Sequence, residues 1–161
     1  MLYWIFDLDN TLYHLPLNTE LRYELLKTDN QLNYLLAMLP LQKIIFTNGT
    51  YGHAKKCLQN IGITNHFSKI ISRDRINCLK PDYHSYIKLL NICRIKKDDL
   101  CVFFDDLPEN LITAKELGWT TILISRTNYI HSSIDFWFPN IYLAVNFFVS
   151  KIQKNKNNFN R

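Results

Sequence analysis

Residues 1–13 read MLYWIFDLDNTLY, an apolar run, LYWIF at 2–6, that stops at two aspartates, Asp7 and Asp9, two positions apart. A short run rich in aromatic and β-branched residues, with no polar alternation, reads as a strand buried on both faces, the habit of strands in parallel sheets. Such a strand should not finish in two carboxylates unless something binds them, because ionised groups are costly beside an apolar interior.

The rest of the chain repeats the pattern. KIIF (43–46), KIIS (69–72), CVFF (101–104), TTILI (120–124) and IDFWF (134–138) are strand candidates. Helix-length segments fill most of the gaps: HAKKCLQNIG stopping at Gly62, YHSYIKLLNICR after Pro81, PENLITAKELG stopping at Gly118, and NIYLAVNFFVSKI after Pro139. Alternating strands and helices predict an α/β domain with a mostly parallel, doubly wound sheet. Ligands of such sheets bind beyond the carboxyl ends of the strands. Those ends or the loops after them carry DLDNT, TNG, CLKPD and DDLPEN, four places where polar and ionisable residues replace ordinary turn residues.

Composition bounds the alternatives. At 161 residues and 47% hydrophobic content the chain has the material for one core, expected over residues 1–150. The net charge of +5 comes mainly from the last eleven residues, KIQKNKNNFNR, which hold four basic residues and no acidic one; residues 1–150 carry fifteen basic against fourteen acidic. Residues 151–161 therefore read as a basic, polar, disordered tail, and the footprint expected of a nucleic-acid partner is weak. Cys57, Cys78, Cys93 and Cys101 form no CxxC pair and read as reduced, mostly buried thiols. With a strand starting at residue 2 there is no room for a leader, so a cytoplasmic location is expected. The apolar run from 134 to 152 is interrupted by Asp135, Pro139, Asn140 and Asn146, which argues against a membrane span and for a strand followed by a helix.

The chemistry of the strand ends is coherent. Asp7, Asp9, Asp105 and Asp106 would converge at one rim, where like charges raise one another's pKa unless a cation intervenes. A site of few carboxylates, without a His or Cys cluster, favours Mg²⁺ over Zn²⁺ or an all-protein Ca²⁺ cage. Thr47, Asn48 and Gly49 offer a hydroxyl, an amide and loop N–H groups, a cradle for phosphate, and Lys80 before Pro81 adds a point charge. Together they suit phosphoryl transfer, with one aspartate attacking phosphorus and the other moving protons. Spacing leaves open which does which. The five histidines lack ligand spacing; His53, just after the TNG turn, reads equally as helix-start packing and as a substrate contact.

In this order, Asp7-Leu8-Asp9-Asn10-Thr11, Thr47-Asn48-Gly49, Lys80, and Asp105-Asp106 followed by Asn110 resemble the four motifs of the haloacid dehalogenase-like superfamily of phosphohydrolases, over about residues 2–148. LDNTLY, IIFTNGTYGHAKKCLQNIGI, KPD and FFDDLPENLITAKELGWTTILI are most similar to its pyrimidine 5′-nucleotidase type. The resemblance implies a three-layer α/β/α Rossmann-like core and a Mg²⁺-dependent phosphatase of nucleoside monophosphates or similar small esters. It implies that Asp7 is nucleophile and metal ligand, and that Asp9 is the acid/base and lends a backbone carbonyl to the metal. Thr47 and Lys80 would hold the phosphoryl group, with Asp106 the main motif-four ligand and Asp105 in support. Relatives that cleave carbon–halogen bonds lack an acidic residue at the position of Asp9, which favours phosphate chemistry.

One departure is large. Members of this type carry a helical cap between the first two motifs, whereas only residues 12–46 separate Thr11 from Thr47 here. Residues 12–42 are thus expected to be a cap remnant, a flap near Tyr13–Leu17 with one or two helices in ELRYELLKTDNQLNYLLAML. A reduced cap would admit a macromolecular phosphate, such as a polynucleotide end or a phosphoprotein, or be completed by a neighbouring subunit. A fold kept only for binding is the remaining alternative.

Overall fold

Short strands separated by crossover-length segments are the arrangement that parallel pairing needs. The computed structural model of the chain describes residues 1–14, 23–40 and 42–159. Its six strands are β1 (Leu2–Phe6), β2 (Lys43–Thr47), β3 (Phe67–Ser72), β4 (Leu100–Asp105), β5 (Thr120–Ile124) and β6 (Phe136–Phe138). They form one sheet in the order β3-β2-β1-β4-β5-β6, parallel at every pairing. The chain winds outward from β1 to β3, returns, and winds out the other way from β4. The switch therefore falls between β1 and β4, where this class of sheet opens a crevice.

The side-chain alternation of β1 assigns the two faces. Trp4 and Phe6 point into one core, under α1 (Asn30–Met38), α2 (Tyr51–Ile61) and α6 (Ile141–Phe159). Tyr3 and Ile5 point into the other, under α3 (Arg73–Ile76), α4 (Tyr83–Cys93) and α5 (Pro108–Glu116). This is the α/β/α sandwich expected. Helix ends follow local chemistry: Thr50 caps α2 by accepting from the His53 N–H, and Gly62 ends it at φ +81°, a conformation that costs glycine no Cβ clash. Asp82 caps α4, and Pro108 opens α5 where a missing N–H costs nothing.

Two segments take a course that the local pattern does not announce. The helix between the first two motifs is part of the core. Asp29 caps α1 through Oδ1 (2.8 Å from the Leu32 N–H), and Leu32, Leu35 and Leu36 lie in the core with Trp4 and with Ala144 and Val145 of α6. The i, i+3, i+4 spacing of these leucines needs an apolar partner, and the sheet face supplies it. Most of the expected flap, residues 15–17, lies outside the described residues. The second segment is the tail, where α6 runs on to Phe159. Lys and Gln there are good helix formers, and basic residues suit a helix C-terminus. Among the described residues no helix is long and apolar enough to cross a membrane.

Candidate active site

The switch point brings the polar strand ends together. Asp7 follows β1, and its N–H donates to the Phe104 carbonyl of β4 (2.8 Å), so the crevice is still tied by sheet-like pairing where the first carboxylate begins. Thr47 ends β2, and Asp105 ends β4. A cleft of about 260 Å³ is lined by Asp7, Asp9, Asn10, Thr47, Asn48, Gly49, Lys80, Asp106, Leu107 and Asn110. Every residue predicted from the sequence, apart from the fully buried Asp105, lines it.

Lys80 is the hub. Its side chain is 1% exposed, and Nζ donates to Asp7 Oδ1 (2.8 Å) and Asp105 Oδ2 (2.6 Å) above the rings of Phe46 and Phe103. Burial opposes its charge, but the Asp105 and Asp7 carboxylates outweigh that and hold its pKa above the ordinary lysine value. The lysine is positioned by its own backbone: Asn48 Nδ2 donates to the Lys80 carbonyl (2.9 Å) and the Lys80 N–H donates to Asn48 Oδ1 (2.8 Å). Asn48, expected in a phosphate cradle, thus spends its amide on joining the second and third motifs. Thr47 Oγ1 accepts from the Gly49 N–H (2.9 Å) and keeps its own proton to donate into the cleft.

The acids divide into two groups. Asp105 is fully buried, its oxygens taken by Lys80, the Leu107 N–H and Asn110 Nδ2. Asp7 and Asp106 are bridged by Thr11, whose hydroxyl lies 3.1 Å from Asp7 Oδ2 and 3.5 Å from Asp106 Oδ1. Burial, partly offset by Lys80 and reinforced by Asp105, pushes Asp7 up to about 7. Burial and Asp105 push Asp106 up to about 6. Asp7, Asp105 and Asp106 present oxygens within 4.8 Å of one another. One lysine does not neutralise three such acids, and a hard divalent cation among these oxygens would return Asp7 and Asp106 to the ordinary carboxylate range, so the donor set fits one.

Asp9 stands apart, with its side chain 40% exposed. Oδ1 accepts from His53 Nε2 (2.7 Å) and from the Tyr13 hydroxyl. Burial raises its pKa, yet the bonds from His53 and Tyr13 win and leave it below the usual carboxylate value. His53 is pushed up to about 11, chiefly by its bond to Asp9, and its Nδ1 lies 3.2 Å from the Tyr23 hydroxyl. Nothing local in the sequence announces Tyr13, Tyr23 or the bridging role of Thr11. The signal for His53 was its place four residues past Gly49, in the first turn of the helix that leaves the TNG loop.

Comparison with known proteins agrees with this architecture. The family model described as haloacid dehalogenase-like hydrolase matches residues 17–124. A 65-residue stretch is 32% identical to bifunctional epoxide hydrolase 2 of Mus musculus, covering 40% of this chain and 12% of that protein. The fold is similar to that of L-2-haloacid dehalogenase from Xanthobacter autotrophicus (TM-score 0.65, 19% identity, 78% of this chain and 62% of that one). It is similar also to a HAD phosphatase from Thermococcus onnurineus (TM-score 0.60, 20% identity, 74% and 57%). The chain thus spans about an eighth of the curated relative and under two thirds of these solved structures. With the family model matching two thirds of the chain and the acids gathered at the β1–β4 switch point, the chain belongs to the haloacid dehalogenase-like hydrolases.

Proposed function

We propose that the protein is a Mg²⁺-dependent phosphomonoesterase that works through an aspartyl-phosphate, with nucleoside 5′-monophosphates as the small-ester class to test first. The observation that carries this reading is a second carboxylate, Asp9, beside the buried Asp7–Lys80 pair, with Oδ1 held and Oδ2 without a partner among the described residues. A dehalogenation site has no leaving oxygen to protonate and no need of it.

An Asp7 oxygen attacks phosphorus while the bond to the ester oxygen breaks, and Asp9 gives that oxygen a proton from its carboxyl group. Asp9 then takes a proton from water as the water attacks phosphorus and the bond to Asp7 breaks, releasing inorganic phosphate. The depressed pKa of Asp9 suits the second half, where it acts as base. In the first half the negative charge of the bound phosphoryl group raises its proton affinity, the direction an acid needs. Lys80 and Thr47 hold the phosphoryl oxygens. Asp7 and Asp106, supported by Asp105 and the Asp9 backbone carbonyl, would hold Mg²⁺, which when bound adds positive charge where the phosphoryl group gathers negative charge.

The test is hydrolysis of p-nitrophenyl phosphate, then of pyrimidine monophosphates, sugar phosphates and phosphorylated DNA ends. Activity should need Mg²⁺ and vanish in Asp7→Asn. Activity surviving that change would refute the nucleophile, and chloride release from 2-chloropropionate without phosphatase activity would refute the class. A second reading, the same chemistry on a macromolecular phosphate, is favoured by one observation: among the described residues the helix between the first two motifs packs on the sheet and not over the cleft. A second copy of the chain closing that cleft would instead restrict it to small esters.

A further inference from the structure

We propose that His53 and Tyr13 are positioning residues for the acid/base step: they grip Asp9 by Oδ1 and so present Oδ2 as the one oxygen that exchanges protons with the ester. The inference rests on the phosphatase reading of Asp9. Three observations carry it.

First, the grip is one-sided. Both donors, His53 Nε2 at 2.7 Å and the Tyr13 hydroxyl, converge on Oδ1, and among the described residues Oδ2 has no hydrogen-bond partner. Second, the grip is itself held. Tyr13 sits in the turn that follows DLDNT, where it forms a bridge with Asp9. The His53 ring is fixed at its far nitrogen by Tyr23, 3.2 Å from Nδ1, and Cys57 Sγ lies 3.5 Å from the Tyr13 hydroxyl and 3.7 Å from His53 Nε2. Third, the TNG loop is shaped around the pair. A Cβ on Gly49 would lie 2.8 Å from His53 Cδ2, 3.2 Å from Thr47 Oγ1 and 3.6 Å from Asp9 Oδ2. The free oxygen therefore faces the same loop that carries Thr47.

Stability alone does not explain this arrangement. An ion pair whose carboxylate is 40% exposed contributes little to folding. Without its two donors, a carboxylate that open to water would rotate among rotamers and offer either oxygen in turn. A displacement of about 1 Å in a reacting group costs roughly 100-fold in rate.

The experiment compares two esters, a simple alkyl phosphate and 2,4-dinitrophenyl phosphate, with the wild type and with His53→Ala, His53→Gln and Tyr13→Phe in Mg²⁺. A poor leaving group depends on the proton from Asp9, whereas dinitrophenolate departs without it. For His53→Ala the inference expects kcat on the alkyl ester to fall roughly 10- to 100-fold with KM little changed, and a much smaller fall on the dinitrophenyl ester. His53→Gln, which keeps a donor near the position of Nε2, should recover most of the loss, and Tyr13→Phe should show a weaker loss of the same leaving-group dependence. Equal losses on both esters, or no loss, would overturn the positioning role while leaving the phosphatase reading intact. A wild type that cleaves neither ester would overturn both. Should His53→Ala fail to fold by circular dichroism, the contrast between the esters in Tyr13→Phe decides.

Discussion

Lys80→Met tests the electrostatic argument at its centre. Methionine keeps the apolar stem packed over Phe46 and Phe103, so the change is mainly the loss of one positive charge 2.8 Å from Asp7 and 2.6 Å from Asp105. Removing one partner of a buried pair costs about 3–5 kcal/mol, because the other charge is left without compensation. The cost has a pH dependence whose sign follows from Asp7. Its folded-state pKa, about 7, already lies above the unfolded value, and loss of Lys80, which lowers it, moves it higher still. In chelator, Asp7 in the variant stays protonated below that range and carries no unpaired charge; as pH rises through and above 7, the folded state must either hold that proton or bury the bare carboxylate. The destabilisation should therefore be largest near pH 8 and shrink near pH 5. In urea titrations with chelator, a slope of about 2 kcal/mol per M makes the midpoint about 2 M lower near pH 8. A cost under about 1 kcal/mol near pH 8, or an equal cost at both pH values, would refute the reasoning.

Further substitutions probe other links. Asp29→Ala removes both the cap of α1 and the acceptor of the Tyr142 hydroxyl, and should cost about 2 kcal/mol in chemical denaturation. Asn48→Ala releases both bonds to the Lys80 backbone; a fall in phosphatase kcat with a thermal midpoint lowered by a few degrees is expected, and unchanged kinetics would mean that Lys80 is held by its carboxylates alone. Gly49→Ala drives a methyl group to 2.8 Å from His53 Cδ2 and should reproduce the leaving-group dependence of His53→Ala in steady-state kinetics, with the far-ultraviolet circular dichroism unchanged.

The parts legible in the sequence were those written in local pattern. β1 and β5 coincide with LYWIF and TTILI, and the other strands lie within two residues at either end of their predicted runs, since an apolar run between turn residues needs no knowledge of its partners. The gathering of Asp7, Thr47, Lys80 and Asp106 was also legible, because the parallel topology fixes where strand ends point. What escaped depends on contacts distant in sequence. NQLNYLLAM has the pattern of any amphipathic helix, and nothing local says whether its leucines meet the sheet or cover a site; α6, more than a hundred residues later, decides it. The bond from His53 to Asp9 spans 44 residues and that from Tyr23 to His53 spans 30, and neither partner's type announces the other. The bonds of Asn48 to the Lys80 backbone escape for a related reason: an amide suits a phosphate and a peptide group equally, and only the approach of Lys80 in the fold reveals the second partner.

The strand order also governs when the site can come into being. β1 is hydrogen-bonded on one side to β2, about 40 residues away, and on the other to β4, in the register Leu2↔Leu100 through Phe6↔Phe104. A chain emerging during synthesis can pair β1, β2 and β3 early, but LYWIF keeps one unpaired, apolar edge until about a hundred further residues have been added, and pairings of such separation are slow to form. Asp105 and Asp106 arrive with the strand that closes that edge. The nascent protein therefore holds half of its acids and none of its charge conflict while it is most prone to aggregate, and the complete carboxylate cluster forms in the step that seals the sheet.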